Sequence, residues 1–352
     1  MTFTYKAHAT NGIRLNANES SLPPANEVME TFLELLKSSE LNRYPDDFAL
    51  EMRQAFAALY GLDAGQVIAG NGSDALLQLM ITTFCRGDKS LVMLVPDFGM
   101  YRFYADSIQT KTFTYPTAWD GSFDLDDFAA FAKAKNAGLV LISNPNNPTG
   151  HLLDADTMLL LAKKLDPIVL AADEAYMNFA DESLLARVNE AHNLIVSATL
   201  SKAWGAAGIR VGFLAAGSKL IEAMDPFKIV YSISSLDQLA ARAVLAHPEI
   251  TKERIAAIKK ESDRIEEAVR KMKRLEAGEF NANFYALRTV DGSEIELEND
   301  FKNAGIQIRD YPDHARVRIT IGLAEENDAV LSVLEAFDAR DNENGKEGEC
   351  HA

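Results

Sequence analysis

Cysteine and long apolar runs are scarce in this 352-residue sequence. Cys85 and Cys350 are the only two cysteines, too few for the disulfide framework of a small secreted domain. The sequence has no apolar run long enough to cross a bilayer, and its N-terminus lacks the pattern of a secretory signal. These absences predict a cytoplasmic protein.

Basic residues are also in short supply. The chain has 35 lysines and arginines against 52 aspartates and glutamates, which gives a formal net charge of −17. We therefore do not expect a broad basic surface that binds nucleic acid or anionic membranes. Because 47% of the residues are hydrophobic, the chain can bury a large core, and its expected partner is a small molecule.

Short apolar runs alternate with amphipathic stretches over the first two thirds of the chain. Helices are predicted at 125–135 and 154–165, and buried strands are predicted at 90–95, 138–143, 167–172, 193–196 and 210–214. This alternation indicates an α/β fold with a mainly parallel sheet that is covered by helices on both faces.

The pattern changes after Pro248. A long charged helix is predicted from Ile250 to about Arg274, and it is followed by strands and helices at 284–288, 294–304, 317–321 and 325–339. These elements predict a second, smaller α+β unit. The polar residues 341–352 predict a disordered tail.

Ligands of open α/β sheets lie beyond the carboxyl ends of the strands, and four polar segments occupy such positions. The first, AGNGSDALLQL at 69–79, places Ser73 and Asp74 at the start of an apolar helix. It is either an ordinary capped helix or a helix N-terminus that binds phosphate. The second, SNPNNPTG at 143–150, uses prolines to hold several asparagine amides in a rigid loop.

The other two segments carry charged groups at the ends of apolar strands. Asp173 and Glu174 in AADEAY at 171–176 are either helix caps or anions directed at a cationic ligand atom. Lys202 lies in SATLSKAWGAAGIRVG at 197–212, which contains no acidic residue to pair with it.

Lys202 has two possible roles. It could extend its amine to solvent, or burial could lower its pKa and make it the neutral nucleophile that forms a Schiff base with a carbonyl. Thr199, Ser201 and Arg210 favour the second role, because two hydroxyls and a fixed cation provide a second set of phosphate donors.

Together, the four segments resemble the fold-type-I aminotransferases, which use pyridoxal 5'-phosphate. Asn-Pro-Thr-Gly, Asp-x-x-Tyr and Ser-Lys with an arginine eight residues later occur in that family's order. The likeness runs from about Arg14 to Ala339. More narrowly, the chain is similar to the histidinol-phosphate aminotransferases in RLNANES at 14–20, NRYPD at 42–46, GNGSD at 70–74, PDFGMY at 96–101 and RITIG at 318–322.

The resemblance implies an architecture and a set of cofactor residues. The large domain would span 30–240, the small domain would combine 1–29 with 241–340, and a homodimer would share its active sites. Lys202 would hold the cofactor and shuttle a proton, while Asp173 would keep the pyridine nitrogen protonated. The remaining cofactor contacts would be Asn147 and Tyr176 on the phenolic oxygen, Phe98 on the ring, and Gly72, Ser73, Asp74, Thr199, Ser201, Arg210 and the partner subunit's Tyr44 on the phosphate.

The resemblance also implies how the substrate binds. Arg318 would bind an α-carboxylate in a bidentate pair, Arg309 would bind a substrate phosphate, and Asn18 would belong to the substrate-binding segment. The sequence departs from the family at the N-terminus, where Tyr5 stands without the usual preceding proline, which predicts a shortened lid. The expected partners are a small amine and a 2-oxo acid, usually 2-oxoglutarate in this family.

Three other functions stay open at this level. An aromatic amino acid aminotransferase would have an apolar distal pocket, with Arg309 turned away from it. An enzyme like threonine-phosphate decarboxylase would hold the substrate carboxylate perpendicular to the cofactor ring, because the perpendicular bond is the one that breaks. A non-catalytic regulator that binds the cofactor is disfavoured, since Lys202, Asp173 and Arg318 are all present.

Overall fold

The computed structural model describes residues 12–180, 182–311 and 315–340. The predicted disordered tail at 341–352 and the predicted lid residue Tyr5 lie outside these ranges. Within them, no helix is long and apolar enough to span a membrane.

Thirteen strands are found in the described residues. In chain order they are β1 (Ile13–Arg14), β2 (Val67–Asn71), β3 (Ser90–Val95), β4 (Thr112–Pro116), β5 (Ala137–Ser143), β6 (Val169–Asp173), β7 (Leu194–Thr199), β8 (Val211–Ala216), β9 (Leu275–Ala277), β10 (Phe284–Thr289), β11 (Ile306–Gln307), β12 (Arg309–Tyr311) and β13 (Arg316–Thr320).

Eleven α-helices connect these strands in the same part of the chain. They are α1 (Asn26–Lys37), α2 (Leu50–Tyr60), α3 (Gly72–Phe84), α4 (Met100–Ser107), α5 (Leu125–Ala134), α6 (Ala155–Leu165), α7 (Ser218–Met224), α8 (Ser235–Leu245), α9 (Pro248–Val269), α10 (Glu294–Asn303) and α11 (Ala324–Asp338).

The seven-stranded central sheet has the order β2-β8-β7-β6-β5-β3-β4. Strands β3 to β7 run parallel, whereas β8 is antiparallel to both of its neighbours. Ser143, Asp173 and Ser197 lie at or near the carboxyl ends of three adjacent strands and pair in register across β5, β6 and β7. The parallel register therefore places a row of polar side chains at the edge of the sheet where ligands bind.

Both faces of the central sheet are buried by helices. Met52, Phe128 and Met158 from α2, α5 and α6 belong to the core on one face, and Leu77 and Tyr101 from α3 and α4 belong to the core on the other. Burying each such side chain contributes about 1.5–3 kcal/mol. Because helices pack on both faces of the sheet, the strand ends are held in place, and so are Ser143, Asp173 and Ser197.

The second core lies around a four-stranded antiparallel sheet with the order β12-β13-β10-β9. Leu15 from the N-terminal segment packs here with Ile265, Tyr285, Phe301 and Phe337 from the C-terminal third. The short strand β1 also pairs with β11. These contacts agree with a small domain built from both ends of the chain, but the boundaries at 29/30 and 240/241 stay predictions.

The sequence-predicted α/β architecture is confirmed, with element ends shifted by a few residues. The sequence did not predict β2 and β4, the two edge strands of the central sheet. Strand β2 contains glycine and asparagine, and β4 ends in a proline, so neither has the continuous apolar pattern of a buried strand.

Candidate active site

Lys202 lies on the wall of a cavity of about 720 Å³ at the carboxyl edge of the central sheet. It follows β7 by three residues, and its partly buried amine donates a hydrogen bond to the carbonyl of Ala17 over 2.8 Å. The Lys202 nitrogen also lies 5.9 Å from the centre of the Tyr176 ring. Lys202 therefore points inward rather than to bulk solvent.

The surroundings of Lys202 favour its neutral form. Burial, together with the cations of Arg318 and Arg210, lowers the pKa of Lys202 to about 8, while Glu19 and Asp74 act in the opposite direction. A neutral amine is the form that attacks a carbonyl carbon. The site thus provides a nucleophile near neutral pH.

Asp173 is the buried carboxylate of the cavity. It accepts hydrogen bonds from the hydroxyl of Tyr101 at 2.8 Å, the hydroxyl of Ser197 at 3.1 Å and the backbone N–H of Ala175 at 3.2 Å. Burial raises the pKa of Asp173, whereas these three donors lower it. Because all three donors are neutral, the carboxylate can still accept a cationic ligand atom.

Asn147 and Tyr176 converge on the same side of the cavity. The amide nitrogen of Asn147 donates to the Tyr176 hydroxyl over 3.4 Å, and the amide nitrogen of Asn18 donates to it over 3.0 Å. Phe98 also lines the cavity, and its ring meets that of Tyr101 edge to face at 5.5 Å. The cavity wall thus combines the polar groups of Asn147 and Tyr176 with the aromatic ring of Phe98. This combination suits a planar ligand ring that carries polar atoms on its edge.

The start of α3 and the loop after β7 form an anion-binding corner. The Thr199 hydroxyl donates to Ser201 over 2.9 Å, and Arg210 donates to the Ser201 hydroxyl over 3.4 Å and to the Asp74 carboxylate over 3.0 Å. Helix α3 begins at Gly72, so Ser73 and Asp74 present N–H groups that have no acceptor within the helix. A helix N-terminus with an adjacent arginine is suited to bind a phosphate.

Two glycines allow the close packing of this anion-binding corner. A Cβ on Gly212 would lie 2.5 Å from the backbone nitrogen of Ser73, and a Cβ on Gly72 would lie 2.7 Å from the Arg210 guanidinium. Gly72 also has a φ of +71°, and its N–H donates to the carbonyl of Arg210 over 2.7 Å. Because neither glycine has a side chain, the backbone amides of α3 and the Arg210 guanidinium can lie close together. A phosphate group requires such an arrangement of donors.

Arg318 lies opposite this corner and is 5% exposed. Its Nη1 donates to Asn147 at 2.5 Å and to the Tyr311 hydroxyl at 3.2 Å, and its Nη2 donates to the carbonyl of Asn16 at 2.7 Å. Its Nε is buried without an acceptor among the described residues. All of these acceptors are neutral, so a substrate carboxylate would supply a negative charge to balance the buried Arg318 cation.

Arg309 lines the same cavity and pairs directly with Arg318 in the register of β12 and β13. Tyr311, two residues along β12, has its ring centre 6.0 Å from the guanidinium carbon of Arg309 and 5.9 Å from that of Arg318. The cavity therefore has two arginines on the wall that would face a substrate.

The structure leaves three sequence-predicted residues off the cavity wall, Gly72, Asn18 and Tyr44. The backbone N–H of Gly72 is bonded to the carbonyl of Arg210, so Gly72 shapes the corner instead of lining the cavity. Asn18 is buried behind Asn16 and Ala17, and its side chain is engaged by Tyr176 and Thr320, so this geometry favours a positioning role over direct contact with substrate. Tyr44 is 83% exposed and stacks on Tyr231 at 4.8 Å, outside its own chain's cavity. The role predicted for Tyr44 across a subunit boundary stays a prediction.

The site also contains several residues for which the sequence predicted no role. Tyr101 and Ser197 both donate to Asp173. Asp97 is buried on the cavity wall and accepts from the Ser143 hydroxyl at 2.5 Å, and Ser143 in turn accepts from the backbone N–H of Asn147 at 2.9 Å. Ser143 and Ser197 stand at the ends of predicted strands, as Asp173 does, and this position was the sequence signal for them; Tyr101 and Asp97 have no such signal.

The fold and the site together define a class. They describe an α/β protein whose cavity combines a buried lysine amine, an anion-binding corner and a buried carboxylate. The sequence pattern of the family aminotransferase class I and II matches residues 10–334. The chain belongs to this family.

Known relatives extend the match over the chain. A histidinol-phosphate aminotransferase of Thermococcus gammatolerans is 35% identical over 325 residues, which cover 92% of this chain and 91% of that one. The solved histidinol-phosphate aminotransferase of Sinorhizobium meliloti, in complex with pyridoxal-5'-phosphate, has a TM-score of 0.84 at 25% identity and covers 93% of this chain and 92% of its own. The L-threonine-O-3-phosphate decarboxylase of Porphyromonas gingivalis is 22% identical with a TM-score of 0.79, covers 92% of this chain and 99% of its own, and shares the fold.

The prediction of a pyridoxal-phosphate-dependent aminotransferase is therefore confirmed. The residues present fit the cofactor: the glycine-lined corner would hold its phosphate, Asp173 would accept a hydrogen bond from a protonated ring nitrogen, and Lys202 would provide the amine. When bound, the cofactor acts as an electron sink for the carbanion formed at the substrate Cα. The assignment of each individual residue remains our interpretation of the geometry.

Proposed function

We propose that this enzyme transfers the amino group of histidinol phosphate to 2-oxoglutarate. The observation that carries the proposal is the pairing of Arg309 with Arg318 on one cavity wall. Two adjacent arginines match substrates with two separated polar ends. Glutamate and 2-oxoglutarate have two carboxylates each, and histidinol phosphate has a phosphate ester on the carbon next to its amine-bearing carbon and an imidazole at its other end.

Arg309 also bears on the alternative substrates. An aromatic amino acid needs an apolar distal pocket, whereas the distal wall here includes Arg309 and Asp310. Arg309 and Arg318 are like charges directly opposite each other across two strands, and an anion that binds beside both guanidinium groups reduces their repulsion. This cost supports a doubly anionic substrate over an aromatic one.

The side chains assign the steps of the proposed reaction. Arg318 and Asn147 would hold the substrate, and the amine of Lys202 would take the proton from the substrate Cα. Asp173 would keep the pyridine nitrogen of the bound cofactor protonated, and the hydroxyl of Tyr176 would donate to its phenolic oxygen. The proposal includes a cytoplasmic homodimer in which the partner subunit's Tyr44 contacts the phosphate.

The test is a comparison of kcat/KM for histidinol phosphate, phenylalanine and threonine phosphate in wild type and Arg309→Ala. Loss of a charge-assisted hydrogen bond of about 1.5–3 kcal/mol should raise KM for histidinol phosphate by roughly ten- to a hundredfold. Arg288→Ala is the matched control, because Arg288 pairs with Glu276 on β9 and does not line the cavity.

Three outcomes would contradict the proposal. Wild-type enzyme that does not turn over histidinol phosphate would remove this substrate. Equal effects of Arg309→Ala on histidinol phosphate and phenylalanine would remove the phosphate contact. Release of carbon dioxide from threonine phosphate would assign the decarboxylase reaction instead.

A further inference from the structure

Asp97 is a buried carboxyl group on the cavity wall, two residues beyond the end of β3. Its Oδ1 accepts hydrogen bonds from the Ser143 hydroxyl at 2.5 Å and from the backbone N–H of Phe98 at 2.7 Å, and its Oδ2 accepts from the backbone N–H of Ser143 at 3.3 Å. Burial raises the pKa of Asp97 to about 8, and the hydrogen bonds from Ser143 and Phe98 oppose this rise. The steps of the proposed reaction leave this group without a role.

The Ser143 hydroxyl connects Asp97 to the loop that follows β5. A hydroxyl has one proton and two lone pairs. The proton of Ser143 is given to Asp97, and its oxygen accepts from the backbone N–H of Asn147 at 2.9 Å and from the amide nitrogen of Asn146 at 3.3 Å. Because the direction of the proton decides where the lone pairs lie, Asp97 keeps the hydroxyl in place as an acceptor for Asn147.

The middle of this loop, residues 144–154, has few other backbone bonds to the sheet. It contains prolines, which have no N–H. Three further backbone N–H groups near its centre bond to acceptors inside the loop, those of Asn146, Thr149 and Gly150. The bond from the Asn147 N–H to Ser143 therefore ties the middle of the loop to the end of β5.

The side chain of Asn147 joins two parts of the candidate active site. Its oxygen accepts from Arg318 Nη1 at 2.5 Å, and its amide nitrogen donates to the Tyr176 hydroxyl over 3.4 Å. A shift in the backbone of Asn147 would change the contacts of both residues. A misplacement of about 1 Å in a site of this kind can cost roughly a hundredfold in rate.

We propose that Asp97 is a positioning residue that acts through the Ser143 hydroxyl to place Asn147 for the cofactor. Asp97 holds the proton of Ser143, the oxygen of Ser143 holds the N–H of Asn147, and the Asn147 side chain lies in the cavity. This inference rests on the contact that the proposed function gives Asn147 with the cofactor. It does not depend on which amine is the substrate.

The first test is amide hydrogen exchange in the Asp97→Asn holoenzyme. Asparagine keeps the shape of the side chain but replaces one acceptor oxygen by a donor, so the Ser143 hydroxyl loses its fixed direction. Exchange of the Asn147 amide hydrogen, followed by mass spectrometry at single-residue resolution, should become about two- to tenfold faster, the range of one hydrogen bond. The amide of Asn144, which bonds to the carbonyl of Asp173, should exchange as in wild type. Equal acceleration at both amides, or none at Asn147, would overturn the proposal.

The absorbance spectrum of bound pyridoxal phosphate is a second readout, and it needs no substrate. Asn147→Ala removes the proposed contact with the cofactor outright, and Asp97→Asn should reproduce part of its spectral change. A changed spectrum in Asn147→Ala beside an unchanged one in Asp97→Asn would contradict the role of Asp97. An unchanged spectrum in Asn147→Ala would instead remove the contact proposed for Asn147, and the exchange of its amide then decides whether Asp97 positions it.

Glu174→Gln is the matched control for Asp97→Asn. Glu174 is also a buried carboxyl group, burial raises its pKa to about 8, and it accepts from the Ser183 hydroxyl at 2.5 Å, but it does not line the cavity. Its spectrum and the exchange of the Asn147 amide should match wild type. Changes equal to those of Asp97→Asn would show that the loss of any buried carboxyl group has this effect, which would refute a specific role for Asp97.

Ser143→Ala tests whether Asp97 acts through Ser143. Substitutions of residues in contact are not additive when they act on one shared interaction. The double variant Asp97→Asn/Ser143→Ala should therefore have the Asn147 exchange rate and the cofactor spectrum of Ser143→Ala alone. Effects that add in the double variant would show that Asp97 acts independently of Ser143, and the proposal would fail.

Discussion

The hydroxyl of Tyr101 donates a hydrogen bond to Oδ2 of Asp173 over 2.8 Å, and both side chains are buried. The two residues come from different elements, since Tyr101 lies on α4 and Asp173 ends β6. Burial alone would raise the pKa of Asp173 and favour its neutral form, which cannot balance a charged ring nitrogen. Tyr101 therefore helps to keep the carboxylate ionised.

Replacing Tyr101 with phenylalanine tests this relationship. With one donor lost, the pKa of Asp173 should rise further above its ordinary value, so activity on the acid side should be lost at a higher pH than in wild type. At neutral pH the rate of the half-reaction should fall about two- to tenfold, the range of one hydrogen bond. The measurement is the pH profile of single-turnover rates for wild type and Tyr101→Phe.

Tyr285→Phe serves as the control for that experiment. Tyr285 is fully buried in β10, does not line the cavity, and its hydroxyl has no acceptor or donor among the described residues. Its removal should leave the pH profile unchanged. An acid limb that moves equally in both variants would show that general destabilisation, rather than the contact with Asp173, causes the shift.

The lowered pKa of Lys202 predicts how cofactor attachment depends on pH. Because only the neutral amine attacks a carbonyl, the rate of covalent attachment to apoprotein should rise as the pH increases through about 8 and level off above it. Rapid mixing with pyridoxal phosphate measures this rate. Borohydride reduction followed by peptide mass spectrometry should place the adduct on Lys202.

Arg318 provides an internal check on this pH dependence. Burial is the first cause of the lowered pKa of Lys202 and the Arg318 cation is the second, so Arg318→Met should move the midpoint to higher pH. Arg288→Met, which removes a cation outside the cavity, should not. A midpoint near that of free lysine, about 10.4, would contradict a buried nucleophile.

Much of the site could be predicted because its chemistry lies in short segments with distinct local patterns. Lys202 is a cation in a segment without acids, and Asp173 and Glu174 end an apolar strand, so sequence reasoning located them directly. Helix α3 likewise begins at Gly72, where the glycine and serine pattern suggested a phosphate corner.

The contacts made by tertiary packing could not be predicted in this way. Tyr101 reaches Asp173 because α4 packs on one particular face of the sheet, and nothing in its own segment specifies that partner. Arg309 and Arg318 meet through the register of two short strands, and although β13 was predicted at 317–321, its partner β12 was not. The contacts of the Asn18 side chain with Tyr176 and Thr320 also arise only in the folded chain, because these residues are distant in sequence.

Close packing at Gly212 predicts a selective loss of cofactor affinity. A Cβ in Gly212→Ala would contact the backbone of Ser73 and Gly72 at 2.5 and 2.8 Å, and backbone atoms cannot move aside as a flexible side chain would. Such overpacking costs about 1–3 kcal/mol, and the α3 amides should move away from the phosphate. Equilibrium dialysis of pyridoxal phosphate should show weaker binding in this variant.

Gly217→Ala is the matched control for Gly212→Ala. Gly217 lies just after β8, and a Cβ there would meet no atom within 4 Å. Its cofactor affinity should match that of wild type. Equal affinities in all three proteins would show that the corner between β8 and α3 does not hold the phosphate.

Shared active sites can be tested by mixing two defective chains. Tyr44 is exposed and absent from its own cavity, so in the proposed homodimer Tyr44→Ala should damage the site of the neighbouring subunit, while Lys202→Ala damages its own. After unfolding and refolding together in equal amounts, half of the dimers are mixed, and each mixed dimer has one complete site. Activity at limiting cofactor should then recover to about a quarter of the wild-type value, from a much lower level in either variant alone.

Refolding Lys202→Ala with Asp173→Asn is the control, because both changes damage the cavity of their own chain and no mixed dimer has a complete site. Recovery equal to that control would show that Tyr44 does not act across a subunit boundary.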